Sequence, residues 1–295
     1  MALMGPDAVF PISPDLDTPH DLALPLCLLT FAEPPPLHEQ LVAAVETAIV
    51  PRLLMARRRR DASRAKTSAA RSVFGDADTN ELVLLSIGRD ADAALAFVDR
   101  HCGPGIGIDV LYLDLLAPAA RRLGEMWVDD SLDFTQVTVG VGRLQHVLHH
   151  LRGRFGVEPS VGPGSRCALL APTPGEQHTF GLAMVADFFT LAGWRVQSGP
   201  KLGRREILAS VRSEWWSLVG ITAGTTGKVP ALRSIVRAVR SASRNAEVMV
   251  LVGGPLLGIH PDLAEMVGAD ASAVDGRDAV TQAQHLLALA ARPPH

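Results

Sequence analysis

The sequence predicts an α/β protein: a helical bundle followed by a five-stranded, doubly wound parallel sheet, with a proline-rich N-terminal arm ahead of both. Three observations carry this. From Arg166 onward, short apolar runs alternate with segments of helical period, the pattern of repeated βα units. Between Asp78 and Arg154, four helical pieces are joined by short breaks, as in a small bundle. Before Pro36 the chain is rich in proline and has no helical period. A chain of 295 residues is long enough for roughly two domains of ~150 residues.

In order, Met1 to about Pro36 reads as an extended arm closed by Pro34-Pro35-Pro36. Its apolar patch (Leu24, Leu26, Leu28, Leu29, Phe31) suits either a partner or a strap onto its own domain. His38 to Arg60 has helical spacing at Leu41, Val42, Val45, Ile49, Leu53 and Leu54, with a kink expected at Pro51. The helix ends in Arg57-Arg58-Arg59-Arg60, followed by Arg64, Lys66 and Arg71. Such a run fits a solvated tail, or contact with an acidic partner or DNA phosphate. Arm, kinked helix and basic linker make up residues 1–77.

The bundle spans 78–156. Asp78 or Thr79 is placed to cap a helix running to Ile87. A second helix covers Ala91 to Cys102 and is broken by Gly103-Pro104-Gly105. Ile108 to Leu116 leads through Pro118 into Leu123-Gly124-Glu125-Met126-Trp127, and Phe134 to Leu151 forms a long amphipathic helix. After a Gly/Pro linker, the last domain covers 165–295. Its expected strands are Cys167–Leu170, Trp194–Gln197, Leu218–Thr222, Val248–Val252 and Ala271–Val274. Its expected helices are Thr179–Leu191, Gly203–Arg212, Val229–Ser241, Pro261–Val267 and Asp278–Ala291.

Composition excludes several classes. A net charge of −3 gives no global basic signature for nucleic acid, and 5% aromatics argues against base-stacking platforms. Cys27, Cys102 and Cys167 lie far apart, without a Cys-x-x-Cys pair, so a cytoplasmic protein without disulfides is expected. No apolar run reaches the ~18 residues of a membrane helix, and no basic start precedes an apolar block as in a signal peptide.

The stretch that organises the rest is Ala171-Pro172-Thr173-Pro174-Gly175-Glu176-Gln177-His178-Thr179-Phe180-Gly181. Strand, Pro/Gly turn and helix open a βα unit, and ligands of such sheets sit at the carboxyl ends of the strands. Glu176 can orient a metal-ligating His178 through its second ring nitrogen, and Gly181 clears room for a close approach. Equally, Glu176 can cap the helix while His178 is a solvated first-turn residue. Two further strand-end loops are rich in small and hydroxyl residues: Gly220-Ile221-Thr222-Ala223-Gly224-Thr225-Thr226-Gly227 and Val252-Gly253-Gly254-Pro255. Together they would leave a slot between strands for a flat or long group. A receiver would need an acidic cluster after its first strand and an Asp after its third, where this chain has Pro/Thr and Thr/Gly. A nicotinamide domain needs Gly-x-Gly-x-x-Gly, which Pro172-Thr173-Pro174-Gly175 does not provide.

Glu176-x-His178-x-x-Gly181 resembles the cobalamin-binding motif Asp/Glu-x-His-x-x-Gly, seen in domains related to CarH and methionine synthase, in which the histidine becomes the lower cobalt ligand and the displaced dimethylbenzimidazole is buried as a tail. On this likeness His178 is the metal ligand. Thr222, Gly224, Thr225, Gly253 and Gly254 line the tail slot of a flavodoxin-like cobalamin-binding domain, with Thr222-Ala223-Gly224 a looser match to the family's Ser-x-Leu loop. Leu123-Gly124-x-x-Trp127 followed by Asp129 and Asp130 resembles the helical cap of the same proteins and would set Trp127 over the upper corrin face; read from the residues alone, Trp127 is equally plain bundle core. CarH-type caps carry Trp-x9-Glu-His, but Val137-Thr138 stand at that place here. His146, His149 and His150 are the remaining upper-ligand candidates, and read as well as exposed helix-end residues.

Taken with Ile49-Val50-Pro51-Arg52-Leu53-Leu54-Met55-Ala56-Arg57 and Leu132-Asp133-Phe134-Thr135-Gln136-Val137-Thr138, the chain resembles the AerR/PpaA family of purple photosynthetic bacteria. That resemblance implies a non-enzymatic photoreceptor and antirepressor with bound cobalamin (adenosyl-, methyl- or hydroxo-), acting through a CrtJ/PpsR-type DNA-binding repressor of photosystem genes. It also implies possible DNA contact through Arg57, Arg58, Arg59 and Arg60. Haem in the same domain, or a corrinoid methyl-carrier role, are the alternatives.

Overall fold

A computed structural model describes residues 73–157 and 166–290. The arm, the kinked helix and the basic run Arg57–Arg60 lie outside the described residues.

The bundle comprises α1 (Asp76–Ile87), α2 (Ala93–His101), α3 (Ile108–Val110), a π-helical segment (Leu111–Leu116) running into α4 (Ala117–Val128), and α5 (Phe134–Arg154). The α1 helix starts earlier than expected. Neither Asp78 nor Thr79 is its N-cap: Gly75 holds that position, and the Asp78 carboxylate accepts the Gly75 N–H at 2.8 Å from the third helical position. Pro118 does not break α4. The helix is already widened there, with the Ala117 N–H reaching back to Tyr112 O, and the wider turn accommodates the proline ring and its missing donor. At α5, the Asp133 carboxylate accepts the Gln136 N–H while the Gln136 side chain accepts the Asp133 N–H, a reciprocal cap. Leu82, Phe97, Leu111, Tyr112, Leu115, Leu123, Leu144 and Leu151 fill the bundle core.

The sheet contains β1 (Cys167–Pro172), β2 (Arg195–Ser198), β3 (Leu218–Thr222), β4 (Met249–Gly253) and β5 (Ala271–Ala273), all parallel, in the order β2-β1-β3-β4-β5. Helices α6 (Phe180–Leu191), α7 (Arg204–Ser213), α8 (Val229–Ala242), α9 (Leu263–Val267) and α10 (Gly276–Ala290) connect and cover the strands. The strands read as unbroken apolar runs because both faces are covered: Ile207, Ile235 and Val239 pack on one, Leu182, Phe189 and Ala283 on the other. The strand order reverses between β1 and β3, and that switch point opens the crevice where such sheets bind ligands.

Helix α6 is apolar on every side apart from Asp187 and Thr190 because it is sandwiched. Leu182, Ala186 and Phe189 join the sheet core, whereas Met184 and Phe188 join the bundle core. The bundle therefore rests on the helix that begins two residues after His178. Among the described residues, no helix is long and apolar enough to cross a membrane.

Candidate functional site

The site begins with a turn. Thr173-Pro174-Gly175-Glu176 closes with the Glu176 N–H donating to Thr173 O at 2.8 Å, and Gly175 sits at φ +80°. Proline second and a positive-φ glycine third are the marks of a type II turn. The turn swings Glu176 inward, where its side chain is 3% exposed, and leaves the His178 ring 66% exposed.

The Glu176 carboxylate organises the loop. Oε1 accepts the backbone N–H groups of Gln177 (2.9 Å) and His178 (3.0 Å) and lies 2.5 Å from His178 Nδ1. Oε2 accepts the Gly224 N–H at 2.9 Å, clipping the loop after β3 to the loop after β1. Burial pushes this carboxyl up, but the His178 N–H, the His178 ring and the Gly224 N–H together outweigh burial and hold it below the usual glutamate value. An ionised carboxylate has only acceptors, so Nδ1 is the donor, and in the neutral ring Nε2 carries the free lone pair. Nε2 has no hydrogen-bond partner among the described residues. The helix-cap reading of Glu176 is thereby overturned: the N-cap of α6 is Thr179, and Glu176 bonds the loop instead.

Pro172, Thr222, Gly253 and Ala273 stand in register across β1, β3, β4 and β5. The sheet thus brings His178, Thr222, Gly224, Thr225, Gly253 and Gly254 to the carboxyl ends of three adjacent strands. Gly224 is required by proximity: a Cβ there would lie 2.7 Å from Glu176 Oε2 and 3.2 Å from His178 Nδ1. Gly254 is required by conformation as well, with φ +105° and a Cβ that would meet Ala223 O at 2.6 Å and Thr222 Oγ1 at 2.7 Å. Around Gly181 nothing lies within 4 Å of an added Cβ, so no backbone crowds it and the space above the start of α6 is open.

Trp127 is not bundle core. It lies one turn beyond the fully buried Leu123 on the same helix face, at the end of α4, and is 48% exposed. The bundle's apolar stripe therefore runs out into the open at this ring. Of the three histidines on α5, His150 is tied to Asp99 through Nε2 at 3.0 Å, and His146 is exposed. His149 lines a groove of about 320 Å³ with Arg152, Thr179, Phe180, Ser198 and Gly199, between α5, the start of α6 and the loop after β2.

Sequence reasoning missed the join between bundle and sheet. The Tyr112 hydroxyl donates to Asp187 Oδ2 at 2.8 Å, and Arg152 Nε faces Oδ1 at 2.8 Å as an ion pair without hydrogen-bond alignment. Burial pushes the Asp187 carboxyl up, outweighing the hydroxyl and the guanidinium, and burial and the carboxylate both push the Tyr112 phenol up. The available signal was a lone acid in Leu182-Ala183-Met184-Val185-Ala186-Asp187-Phe188-Phe189.

As a donor set, the loop offers a single oriented imidazole. No group of three or more His, Cys, Asp or Glu side chains capable of holding a metal ion occurs among the described residues. A metal taken up at His178 would bring its other ligands with it, as a metal inside a macrocycle does. Beside that imidazole, strand ends stripped of side-chain bulk leave a cradle. These residues fit a cobalt-bearing corrinoid with a long appended group.

Known proteins agree. Residues 166–284 match the family model described as "B12 binding domain". That stretch is similar to B12-binding domains. The chain is 28% identical over 174 residues to an uncharacterized 20.5 kDa protein in the bchF-crtJ intergenic region of Rhodobacter capsulatus, covering 58% of this chain and 89% of that one. It is 26% identical over 115 residues to dimethylamine corrinoid protein 3 of Methanosarcina mazei, covering 39% and 68%. The fold matches the monomethylamine corrinoid protein of Methanosarcina barkeri with a TM-score of 0.59 at 13% identity, over 71% of this chain and 98% of that one. A helical region followed by a five-stranded parallel sheet covered by helices, the architecture read from the sequence, is borne out. So is the likeness to AerR/PpaA-type proteins, through the domain match and the bchF-crtJ relative.

Proposed function

We propose that this protein is a cytoplasmic, non-enzymatic cobalamin sensor that regulates transcription through a partner repressor of the CrtJ/PpsR type. The observation that carries the reading is the exposed His178 ring, oriented by a buried Glu176, at the sheet edge of a domain similar to B12-binding domains. The likeness to the protein from the bchF-crtJ intergenic region supports the regulatory role and the partner.

When bound, cobalamin would supply a cobalt centre that responds to light and redox state. His178 Nε2 would hold the cobalt, and Glu176 keeps the proton on Nδ1 and raises the basicity of the opposite nitrogen. Thr222, Gly224, Thr225, Gly253 and Gly254 admit the nucleotide tail, and Gly181 leaves space at the ring's approach. Trp127 would shield the bound group from water. A displacement of the His178 loop is passed to α6, which follows it directly, and through Asp187 to Tyr112 and Arg152 of the bundle. The bundle surface offered to the repressor then differs between cofactor states, provided the two arrangements bind the cofactor with different affinity. Arg57, Arg58, Arg59 and Arg60 add a DNA contact.

The test is an absorption spectrum of the purified chain with adenosyl-, methyl- or hydroxocobalamin in the dark and after illumination, run beside haem, with repressor capture measured in both states. The reading expects bound cobalamin, a light-dependent spectrum and state-dependent capture. Haem uptake in place of cobalamin would contradict it. The likeness to the dimethylamine corrinoid protein favours a second reading, a methyl carrier; methyl transfer to or from the bound cobalamin by a methyltransferase would support it.

A further inference from the structure

On the face of the sheet formed by α7 and α8, a groove of about 510 Å³ is lined by Arg204, Val229, Pro230, Arg233, Ser234 and Arg237. Several arginines elsewhere on the molecule meet carboxylates, among them Arg122 with Glu125, Arg154 with Asp99, Arg195 with Glu214, Arg240 with Asp270 and Arg277 with Asp109, whereas others, such as Arg143 and Arg244, bond backbone carbonyls. The three in the groove meet no carboxylate among the described residues. Arg204 donates to Ser234 Oγ at 3.1 Å, and Arg233 donates through Nε to Met266 O at 3.0 Å, which leaves its terminal nitrogens unused. Among the described residues no carboxylate forms an ion pair with Arg204, Arg233 or Arg237; neither Glu265 on the neighbouring α9 nor Asp262, which precedes that helix, does so. All three guanidiniums are solvent-exposed, and α8 carries arginines but no acid from Val229 to Ala242.

We infer that this groove docks an acidic, amphipathic segment of a partner protein. Unpaired guanidiniums converging on one groove are suited to carboxylates, which they take in bidentate fashion. The floor of Val229, Pro230 and Ala238 asks for apolar side chains on the same segment. A nucleic-acid backbone satisfies the guanidiniums but has nothing apolar to set on that floor. The groove shares no residue with the Glu176–His178 loop, so the inference stands or falls apart from the cofactor reading.

The test uses the full chain and a fluorescent peptide of alternating Glu and Leu, with short duplex DNA and a Lys/Leu peptide as competing probes. The Glu/Leu peptide binds, binding weakens with salt, and the Arg204→Gln/Arg233→Gln/Arg237→Gln variant loses about tenfold in affinity, as three exposed pairs of modest strength should. Arg212→Gln, elsewhere on α7, leaves affinity unchanged. Where the triple variant loses its folded circular-dichroism spectrum, Arg237→Gln alone decides, with a loss of about threefold expected. The inference is overturned by absence of peptide binding, by binding that these substitutions leave unchanged, or by DNA bound in place of the peptide.

Discussion

The Tyr112 hydroxyl reaches out of the helical bundle and donates to the carboxylate of Asp187, on the sheet helix behind His178, at 2.8 Å and with both side chains closed off from solvent. This bond, with Arg152 on the other oxygen, is a buried polar fixed point in the join, which the more exposed Arg277–Asp109 ion pair also crosses. Tyr112→Phe leaves Asp187 Oδ2 buried without a donor and should cost about 1–3 kcal/mol. The check is the urea midpoint at unchanged slope. Adding Asp187→Leu removes the orphaned carboxylate and should recover part of the loss, because Arg152 is exposed enough to be solvated. A Tyr112→Phe protein as stable as the parent would show that the bond contributes nothing.

Glu176 holds two loops with one carboxylate, so its removal should be felt in both structure and binding. Glu176→Ala frees the Gly224 N–H and the His178 ring together, and should weaken cobalamin binding by about 10–100-fold, the usual effect of losing the group behind a metal-ligating histidine. Equilibrium titration with hydroxocobalamin measures it; an affinity within twofold of the parent would speak against the orienting role.

The same carboxylate sets a pH dependence. Its folded value lies below the ordinary glutamate value, so its contribution to stability is complete above about pH 4.3 and is lost as pH falls through the depressed value. Glu176→Gln carries no such titration. The stability gap between parent and Glu176→Gln should therefore shrink as pH is lowered from about 6 to about 3. Thermal melts across that range read it out, and a gap that widens on acidification would reverse the sign.

At Gly254, φ +105° and the crowding by Ala223 O and Thr222 Oγ1 act together. Gly254→Ala should destabilise by about 1–3 kcal/mol and weaken cobalamin uptake, whereas Gly181→Ala, placed in open space, should leave the fold intact. Denaturation of both variants separates the two; equal losses would mean that the open space over Gly181 is not there in solution.

What the sequence revealed and what it withheld have a common cause. Local signals survive in a linear string: Pro174-Gly175 spelled the turn, apolar runs spelled the strands, and Glu176, His178, Thr222 and Gly253 reached one edge because parallel register puts them there. Contacts across elements do not survive. Nothing near Glu176 in sequence announces the Gly224 N–H, 48 residues away, and nothing near Tyr112 announces Asp187, 75 residues away. Trp127 looked equally like core because helical spacing says which face a residue shares, but not where the bundle stops covering that face. The start of α1 shifted for a similar reason: a carboxylate at the third position caps from inside the helix as well as one at the N-cap does from outside.

The central claim is that His178 ligates cobalt from below, and the direct measurement is the absorption spectrum of hydroxocobalamin bound to the parent and to His178→Ala. The account predicts a histidine-ligated spectrum for the parent, and for the variant weaker binding or a water- or benzimidazole-ligated spectrum. Identical spectra and affinities for the two proteins would contradict it.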